Sequence, residues 1–444
     1  MSWAVSGPVR AMSYASTTSA VLDLVRAAGT ISRVGLVHAT GLTGATISTV
    51  VRRLIDDGLV IESGRAESTG GKPRVLLQLN QSSRFAVGVQ LDHSGLAYVL
   101  TNLGGAVVAH LSRAGAGLED PPVVVERMAR EVNALIDGVG VDRSRVLGLG
   151  LVSPGPLTPT GGMRLTPPSM RLWEDFPLGK ALEQASGLPV VLDNDATAAT
   201  LGEYWSGGVG TSTTFAGVFM GTGIGAGLLI NGSAYRGASG NAGEIGHLCL
   251  DPNGPECWCG ARGCTEAIAG PAAVVAAARA RPEIARAAGI ELAPDPALAS
   301  SSGDFAATST SGDFAALVRS ANLGHPGARG ILDDSARHLA VAIRTLATLM
   351  DLELVVLTGP NLAVAGSIYL PIVQAELDHF FFARATHGVK VQLSKAGTTA
   401  AAIGGAAMVL QSELAPLREG MPMPRDLAGA EFPLVGARLI SRVR

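Results

Sequence analysis

Aromatic side chains are scarce in this chain: 4 Trp, 5 Tyr and 10 Phe among 444 residues. With Gly and Ala abundant, the core has to be assembled from small aliphatic residues. Cysteine is rarer still, with four in the whole chain, and nothing else marks a disulfide-stapled secreted protein. No run of about 18 consecutive apolar residues is present, so no transmembrane helix is expected. The N-terminus lacks a basic start followed by an apolar core, so no signal peptide is expected and the expected location is cytoplasmic. Charged residues make up 16% against 47% hydrophobic. That balance predicts a well-cored soluble protein, and the length predicts two or three folded units.

The net charge of −3 conceals an asymmetry. Residues 1–80 hold eight of the 34 basic residues and five of the 37 acidic ones, a net of +3, which leaves 26 against 32 and a net of −6 for the rest. A basic head on an acidic body is consistent with a head that meets phosphate. Residues 1–16 read as an irregular, disordered arm. A helical pattern begins near Thr18, carries Val21, Leu24 and Val25 on one face, and ends at Gly29. Ser32 is a fitting N-cap for a second short helix with Val34 and Val37 inward. Thr40-Gly41-Leu42 makes a turn, and Thr43 caps a third helix whose Ile47, Val50, Val51 and Leu54 share one face. Gly58 stops it.

Those parts predict a helix-turn-helix. The outward face of the third helix presents Thr46, Ser48, Thr49, Arg52 and Arg53, hydroxyls near its start for base edges or phosphate and arginines farther along for phosphate. Two strand-like runs follow, Leu59–Glu62 and Val75–Leu79. The Gly-rich loop between them, with Arg65, Lys72 and Arg74, reads as a wing able to lie along or enter a minor groove. Thr43, Thr46, Ser48, Thr49, Arg52, Arg53, Arg65, Lys72 and Arg74 are therefore the candidate DNA contacts. A plain three-helix packing module is the competing reading.

All four cysteines lie between His247 and Glu266. Cys257, Cys259 and Cys264 form a C-x-C-x4-C group ten residues after His247. His247, Cys257, Cys259 and Cys264 make a soft-ligand set sized for one tetrahedral zinc. Cys249 is left over and is expected to be a small buried apolar residue. Disulfides or unrelated buried thiols are the alternatives.

The same stretch carries a family likeness. Gly243-Glu244-Ile245-Gly246-His247 followed by Cys257-x-Cys259-Gly260-x-x-Gly263-Cys264-x-Glu266 resembles the zinc and sugar motif of the ROK family of sugar kinases and sugar-responsive repressors. Gly221–Gly227, Ala238-x4-Gly243-Glu244 and Val191-Leu192-Asp193-Asn194-Asp195-Ala196 fit the rest of that signature. The likeness runs from about residue 85 to about residue 410, and residues 1–82 resemble the winged helix-turn-helix that precedes it in ROK repressors. It implies an α/β protein: a winged helix-turn-helix over 1–82, then two actin-like lobes of the ROK sugar-kinase type, the first from 83–196 plus about 397–444 and the second, with the zinc motif, from 197–396.

The likeness also implies a sugar site of Asn194, Asp195, Glu244, His247 and Glu266, with Ser169 at a position that often holds Asn. Zinc would fix His247 through one ring nitrogen while the other faces the sugar. Two departures bear on catalysis. The family's kinase pattern Gly-x-Asp-x-Gly-Gly-Thr is Gly88-Val89-Gln90-Leu91-Asp92-His93-Ser94 here, so Gln90 replaces an acid and Asp92 puts like charge where phosphate would sit. The Gly-Gly pair on the adenosine side becomes Thr358-Gly359-Pro360. The expectation is a non-enzymatic transcriptional regulator, a repressor, with one structural zinc. Operator DNA and a sugar effector are its expected partners, and a homodimer or homotetramer its expected assembly. Asp195 is then only the vestige of a kinase base. An ATP-dependent sugar kinase with a DNA-binding appendage is the alternative, and a regulator answering to a protein partner is a third. Residues 291–322, with Ser-Gly-Asp-Phe-Ala-Ala at 302–307 and again at 311–316, read as an insertion or loop without assigned function.

Overall fold

Capping side chains and one apolar stripe set the N-terminal unit. The computed structural model describes residues 14–65, 74–157, 162–163, 167–206, 208–209, 214–292 and 310–414. The chain divides into two compact units, Met1–Ser83 with Ser412–Arg444, and Arg84–Gln411. In the first, α1 (Tyr14–Ala28) buries Val21, Leu24 and Val25. The two-residue strand β1 (Ile31–Ser32) follows, then α2 (Arg33–Thr40), capped by Ser32 Oγ accepting from the Gly35 amide at 3.1 Å. The helix α3 (Gly44–Asp56) is capped by Thr43 Oγ1, which accepts from the Thr46 amide at 3.2 Å. Its Ile47, Val50, Val51 and Leu54 are fully buried, the stripe that the i, i+3, i+4, i+7 spacing predicts. Strands β2 (Val60–Arg65) and β3 (Val75–Leu79) pair antiparallel, and β3 pairs β1 on its other side. One expectation fails: Val34 is exposed and Val37 half-buried, while Leu36 fills the core. On so short a helix one face goes inward, and the larger side chain gains more from burial.

The second unit contains two five-stranded sheets. The first has the order β6-β5-β4-β7-β8, from β4 (Phe85–Leu91), β5 (Gly95–Asn102), β6 (Val107–Ala114), β7 (Val146–Ser153) and β8 (Val190–Asn194). Antiparallel pairing on the β6 side gives way to parallel pairing of β4, β7 and β8. Helices α4 (Pro121–Val139) and α5 (Leu178–Ser186) cover one face, and Val124, Met128, Val132, Met170 and Trp173 fill the space beneath. Strand β8 is an edge strand with Val191 exposed, because only β7 pairs it. Helix α6 (Asp195–Trp205) leaves β8 directly.

The second sheet, of order β11-β10-β9-β12-β13, is built from β9 (Phe215–Met220), β10 (Ile224–Ile230), β11 (Ser233–Ala234), β12 (Leu354–Thr358) and β13 (Lys390–Leu393). Its helices are α7 (Thr265–Ala269), α8 (Pro271–Arg279), α9 (Pro282–Ala288), α10 (Thr310–Asn322), α11 (Pro326–Met350) and α12 (Pro360–Phe380). Helix α10 corrects the reading of 291–322 as an insertion. The second Ser-Gly-Asp-Phe-Ala-Ala copy is helical, and Phe314, Leu317, Val318 and Ala321 belong to the core. The first copy lies outside the described residues.

The chain then returns to the first sheet as α13 (Ala400–Leu414), a helix whose first half is mostly Ala and Gly. Its backbone touches backbone. A Cβ added at Gly88 would lie 1.8 Å from the Ala402 carbonyl oxygen, one at Gly150 would lie 1.8 Å from that of Gly405, and one at Gly404 would lie 1.7 Å from that of Ala198 in α6. No single helix among the described residues is long and apolar enough to cross a membrane.

These contacts predict a sharp contrast. Gly404→Val is expected to lower stability by at least about 2 kcal/mol, the scale of an overpacked core. Gly138→Ala, at a helical position with nothing within 4 Å of the new methyl group, should leave stability unchanged or raise it by up to about 1 kcal/mol. Urea unfolding of both variants checks the pair, and equal midpoints would show that α13 can move aside.

Candidate functional site

On α3 the hydroxyls close local bonds. Ser48 Oγ donates to the Gly44 carbonyl at 2.7 Å, Thr49 Oγ1 donates to that of Ala45 at 3.1 Å, and the Thr43 and Thr46 hydroxyls meet at 2.9 Å. Ser48, Thr49, Arg52 and Arg53 are exposed, and Arg53 Nε lies 3.6 Å from Asp57. Arg65 and Arg74 stand exposed at the facing ends of β2 and β3. Lys72 lies outside the described residues.

Four ligand atoms converge in the second unit. Those of His247, Cys257, Cys259 and Cys264 all lie within 4.8 Å of one another. His247 Nδ1 is 3.7 Å from Cys257 Sγ, and Cys259 Sγ is 3.7 Å from Cys264 Sγ. A tetrahedron with metal–sulfur bonds of about 2.3 Å has edges of about 3.8 Å, so the spacing fits a metal. The thiol chemistry points the same way: burial and the neighbouring thiols push the Cys257 and Cys264 thiols up, and a cation is what lets such thiols ionise. Turns build the cluster. His247 ends a 3-10 turn (Ile245–His247), Cys249 and Cys264 bridge as isolated antiparallel partners, and α7 starts after Cys264. Cys249 is exposed, not buried as expected, because the bridge uses its backbone and leaves its side chain outside.

Beside this cluster a group of carboxylates gathers where the two sheets' loops meet, and it marks the candidate cleft. Asn194 caps α6, its Oδ1 accepting from the Ala196 and Thr197 amides at 2.9 and 3.0 Å, which leaves its Nδ2 as a donor. Asp195 is buried on the first turn of that helix. A Cβ added at Gly155 would lie 3.1 Å from Asn194 Nδ2 and 3.2 Å from Glu244 Oε1, so side chains of both sheets meet there. Burial, then the charges of Asp92 and Glu244, push Asp195 up to about 8. Burial, then Glu266, pushes Glu244 up to about 7. Glu266 is already engaged: the Ile224 amide donates to Oε2 at 2.8 Å and Trp258 Nε1 donates to Oε1 at 2.6 Å. A Cβ added at Gly223 would lie 2.2 Å from Glu266 Oε2, so a side chain there would displace the carboxylate from this place. The Ser169 carbonyl is 3.0 Å from His93 Nδ1.

Sequence reasoning missed several of the groups that assemble the cleft. Trp258 stands edge-on to His247 with ring centroids 5.0 Å apart, besides holding Glu266. Arg236 pairs with Asp193 at 2.6 Å, and Asn241 exchanges two bonds with the Leu157 backbone at 2.9 and 3.3 Å. Thr222 Oγ1 donates to Asp92 Oδ1 at 2.5 Å. The last three pairs each join a residue of the first sheet's side to one of the second's. Only the position of Trp258 between two zinc-motif cysteines offered a signal for any of them.

The sequence profile of the ROK family matches residues 99–412. The chain belongs to the ROK family. It is 26% identical over 384 residues to the xylose repressor of Caldicellulosiruptor bescii, covering 86% of this chain and 92% of that one. Its fold is similar to the crystal structure of a ROK family transcriptional regulator described as a homolog of the E. coli MLC protein, with a TM-score of 0.69, 25% identity, and 90% of this chain and 97% of that one covered. It is also similar to a ROK family glucokinase from Streptomyces griseus solved with glucose and AMPPNP, with a TM-score of 0.58, 26% identity, and 73% and 98% covered. The first two likenesses cover more of this chain than the unit Arg84–Gln411 alone makes up.

The crowded carboxylates predict a pH dependence. Asp195 keeps its proton to about pH 8 when folded, against an ordinary value of 3.8. Folding therefore takes up a proton between those values, and the stability this group contributes, full below about pH 4, falls as pH rises to about 8, by about 1.4 kcal/mol per pH unit at most. Asp195→Asn should flatten that part of the slope and be more stable than the parent at pH 8, with the gap narrowing toward pH 5. Urea titrations across that range measure it, and parallel curves would contradict it.

Proposed function

We propose that this protein is a sequence-specific DNA-binding transcriptional regulator, a repressor, whose operator affinity is set by a sugar or sugar derivative bound in the carboxylate-lined cleft. The observation that carries this reading is the pairing of two features in one chain. One is a capped three-helix unit with a β-hairpin and an exposed basic face on its third helix. The other is a ROK body in which Asp92, in the turn between β4 and β5, itself accepts from the His93 amide and the Ser94 and Thr222 hydroxyls. The repressor and regulator names of its relatives support the reading. The Gly221–Gly227 turn and the likeness to a glucokinase favour a sugar kinase as the second reading.

In the proposed role α3 enters a major groove. Arg52 and Arg53 meet phosphates, the start of the helix with Thr43, Thr46, Ser48 and Thr49 faces base edges, and Arg65, Lys72 and Arg74 of the wing follow the backbone. Sugar hydroxyls are met by Asn194 Nδ2, by Asp195 and Glu244, which donate when protonated and accept when not, and by His247. Glu266, with both oxygens already accepting, shapes the wall from behind; Ser169 belongs to the same wall through its neighbour His93. His247, Cys257, Cys259 and Cys264 would hold one zinc, whose chemistry here is to fix the histidine ring rather than to activate water. Sugar binding then shifts the population of cleft arrangements, and with it the spacing of the two recognition helices in a dimer.

The assay for DNA is direct. Arg52→Ala with Arg53→Ala should weaken operator binding across all sequences and reduce the salt slope by about 1 to 2, and unchanged binding would remove α3 from the interface. A thermal-shift screen of pentoses and hexoses should find one that raises the melting temperature and releases DNA. ATP-dependent turnover of that sugar, lost in Asp195→Ala, would favour the kinase instead.

Metal content provides a separate check. Purified protein should contain about one zinc per chain, and Cys259→Ser should lose it and melt at a lower temperature. A fully folded, metal-free protein would sink the zinc site.

A further inference from the structure

The turn between β4 and β5 holds an anion that belongs to the chain itself. Asp92 is 4% exposed. Its Oδ1 accepts from the His93 amide at 2.8 Å and from Thr222 Oγ1 at 2.5 Å, and its Oδ2 accepts from Ser94 Oγ at 2.9 Å. One backbone N–H and two hydroxyls, converging on one anion from two sides, are the donor chemistry that holds a phosphate oxygen. Two of these donors come from the first sheet's hairpin and one from the Gly221–Gly223 turn of the second sheet. Both turns are braced from behind. His93 Nδ1 reaches the Ser169 carbonyl at 3.0 Å, and the buried Asn361 donates to the Gly221 carbonyl at 2.7 Å.

We propose that Asp92 is a built-in substitute for a bound phosphate: its carboxylate occupies the donors of the turn, excludes a nucleotide phosphate from them, and ties the first lobe to the second without any nucleotide. Three observations carry this. The donors are already saturated by the carboxylate, so an external anion would have to displace it. Like charge a residue's width away would repel that anion. The Thr222–Asp92 bond joins residues 130 positions apart in sequence and on different sheets, so one side chain closes the joint that a shared ligand would otherwise close. The sugar site then stands assembled for occupancy alone. The proposal rests on reading the cleft as a ligand site, but its test uses no sugar.

Hydrogen exchange on the full-length protein decides it. In Asp92→Ala the amides of Gly221, Thr222 and Gly223 should exchange about tenfold faster or more, the scale of a lost hydrogen bond to a charged group, although the substitution is on the other sheet. Inorganic phosphate at millimolar concentration should restore their protection in Asp92→Ala and have no effect on the parent protein. Thr222→Val, which removes the same bond from the other side and nearly preserves volume, should speed exchange at residues 93–95 to a similar degree and decides the matter if Asp92→Ala does not fold. Unchanged exchange across the joint in the folded variants, or a loss in Asp92→Ala that phosphate does not reduce, overturns the proposal. A failed sugar screen, in contrast, would leave this result untouched and count only against the effector.

Discussion

Carboxylate crowding is the constraint on which the rest of the cleft depends. Burial, then Asp92 and Glu244, raise the proton affinity of Asp195, and burial, then Glu266, raises that of Glu244. Burying charge without partners is costly, and each of the four meets that cost differently. Asp92 takes three donors from two turns. Glu266 takes the Ile224 amide and the Trp258 indole. Asp195 and Glu244 hold their protons further up the pH scale. The two acids with these donors are fixtures of the wall, and Asp195 and Glu244 are the two that keep a proton to higher pH. The Gly-rich turn at 221–223 serves both fixtures, one from Thr222 and the other by the room Gly223 leaves, so its glycines have a structural reason independent of nucleotide binding.

Much of the architecture was legible because its determinants are local. The caps Ser32 and Thr43, the stripe Ile47-Val50-Val51-Leu54, and the C-x-C-x4-C spacing each fix geometry within a dozen residues, and the structure follows them. Where the reading failed, the deciding contact was distant or the local signal ambiguous. Helix α2 has only eight residues to commit, and Leu36 outweighs Val34. Two identical hexapeptides cannot be told apart by composition, yet the second supplies Phe314 to the core because α8, α9 and α11 surround it. Cys249 looked like a spare core residue, but pairing with Cys264 through backbone turned its side chain out.

The candidate site divides along the same line. Which residue types gather there could be read from motifs, but what each does depends on partners far along the chain. Asp92 read as a charge that repels phosphate; in the fold it is also an acceptor for Thr222, 130 positions away. Glu266 read as a sugar ligand; in the fold it also accepts from the Trp258 indole and the Ile224 amide. Asp193 read only as part of a strand motif, and its pairing with Arg236 across 43 residues carries no sequence signal at all.

The backbone-on-backbone seat of α13 has a mechanical consequence. Most interfaces inside a protein have side chains between their backbones, and rotamer changes there absorb small displacements. At Gly88, Gly150 and Gly404 nothing lies between one main chain and the next. Such a bearing has no slack: the elements on either side can turn about it, but they cannot compress it, because close-packed matter yields little. A few tenths of an ångström gained or lost in the cleft is therefore passed along the length of the helix instead of being damped at its seat.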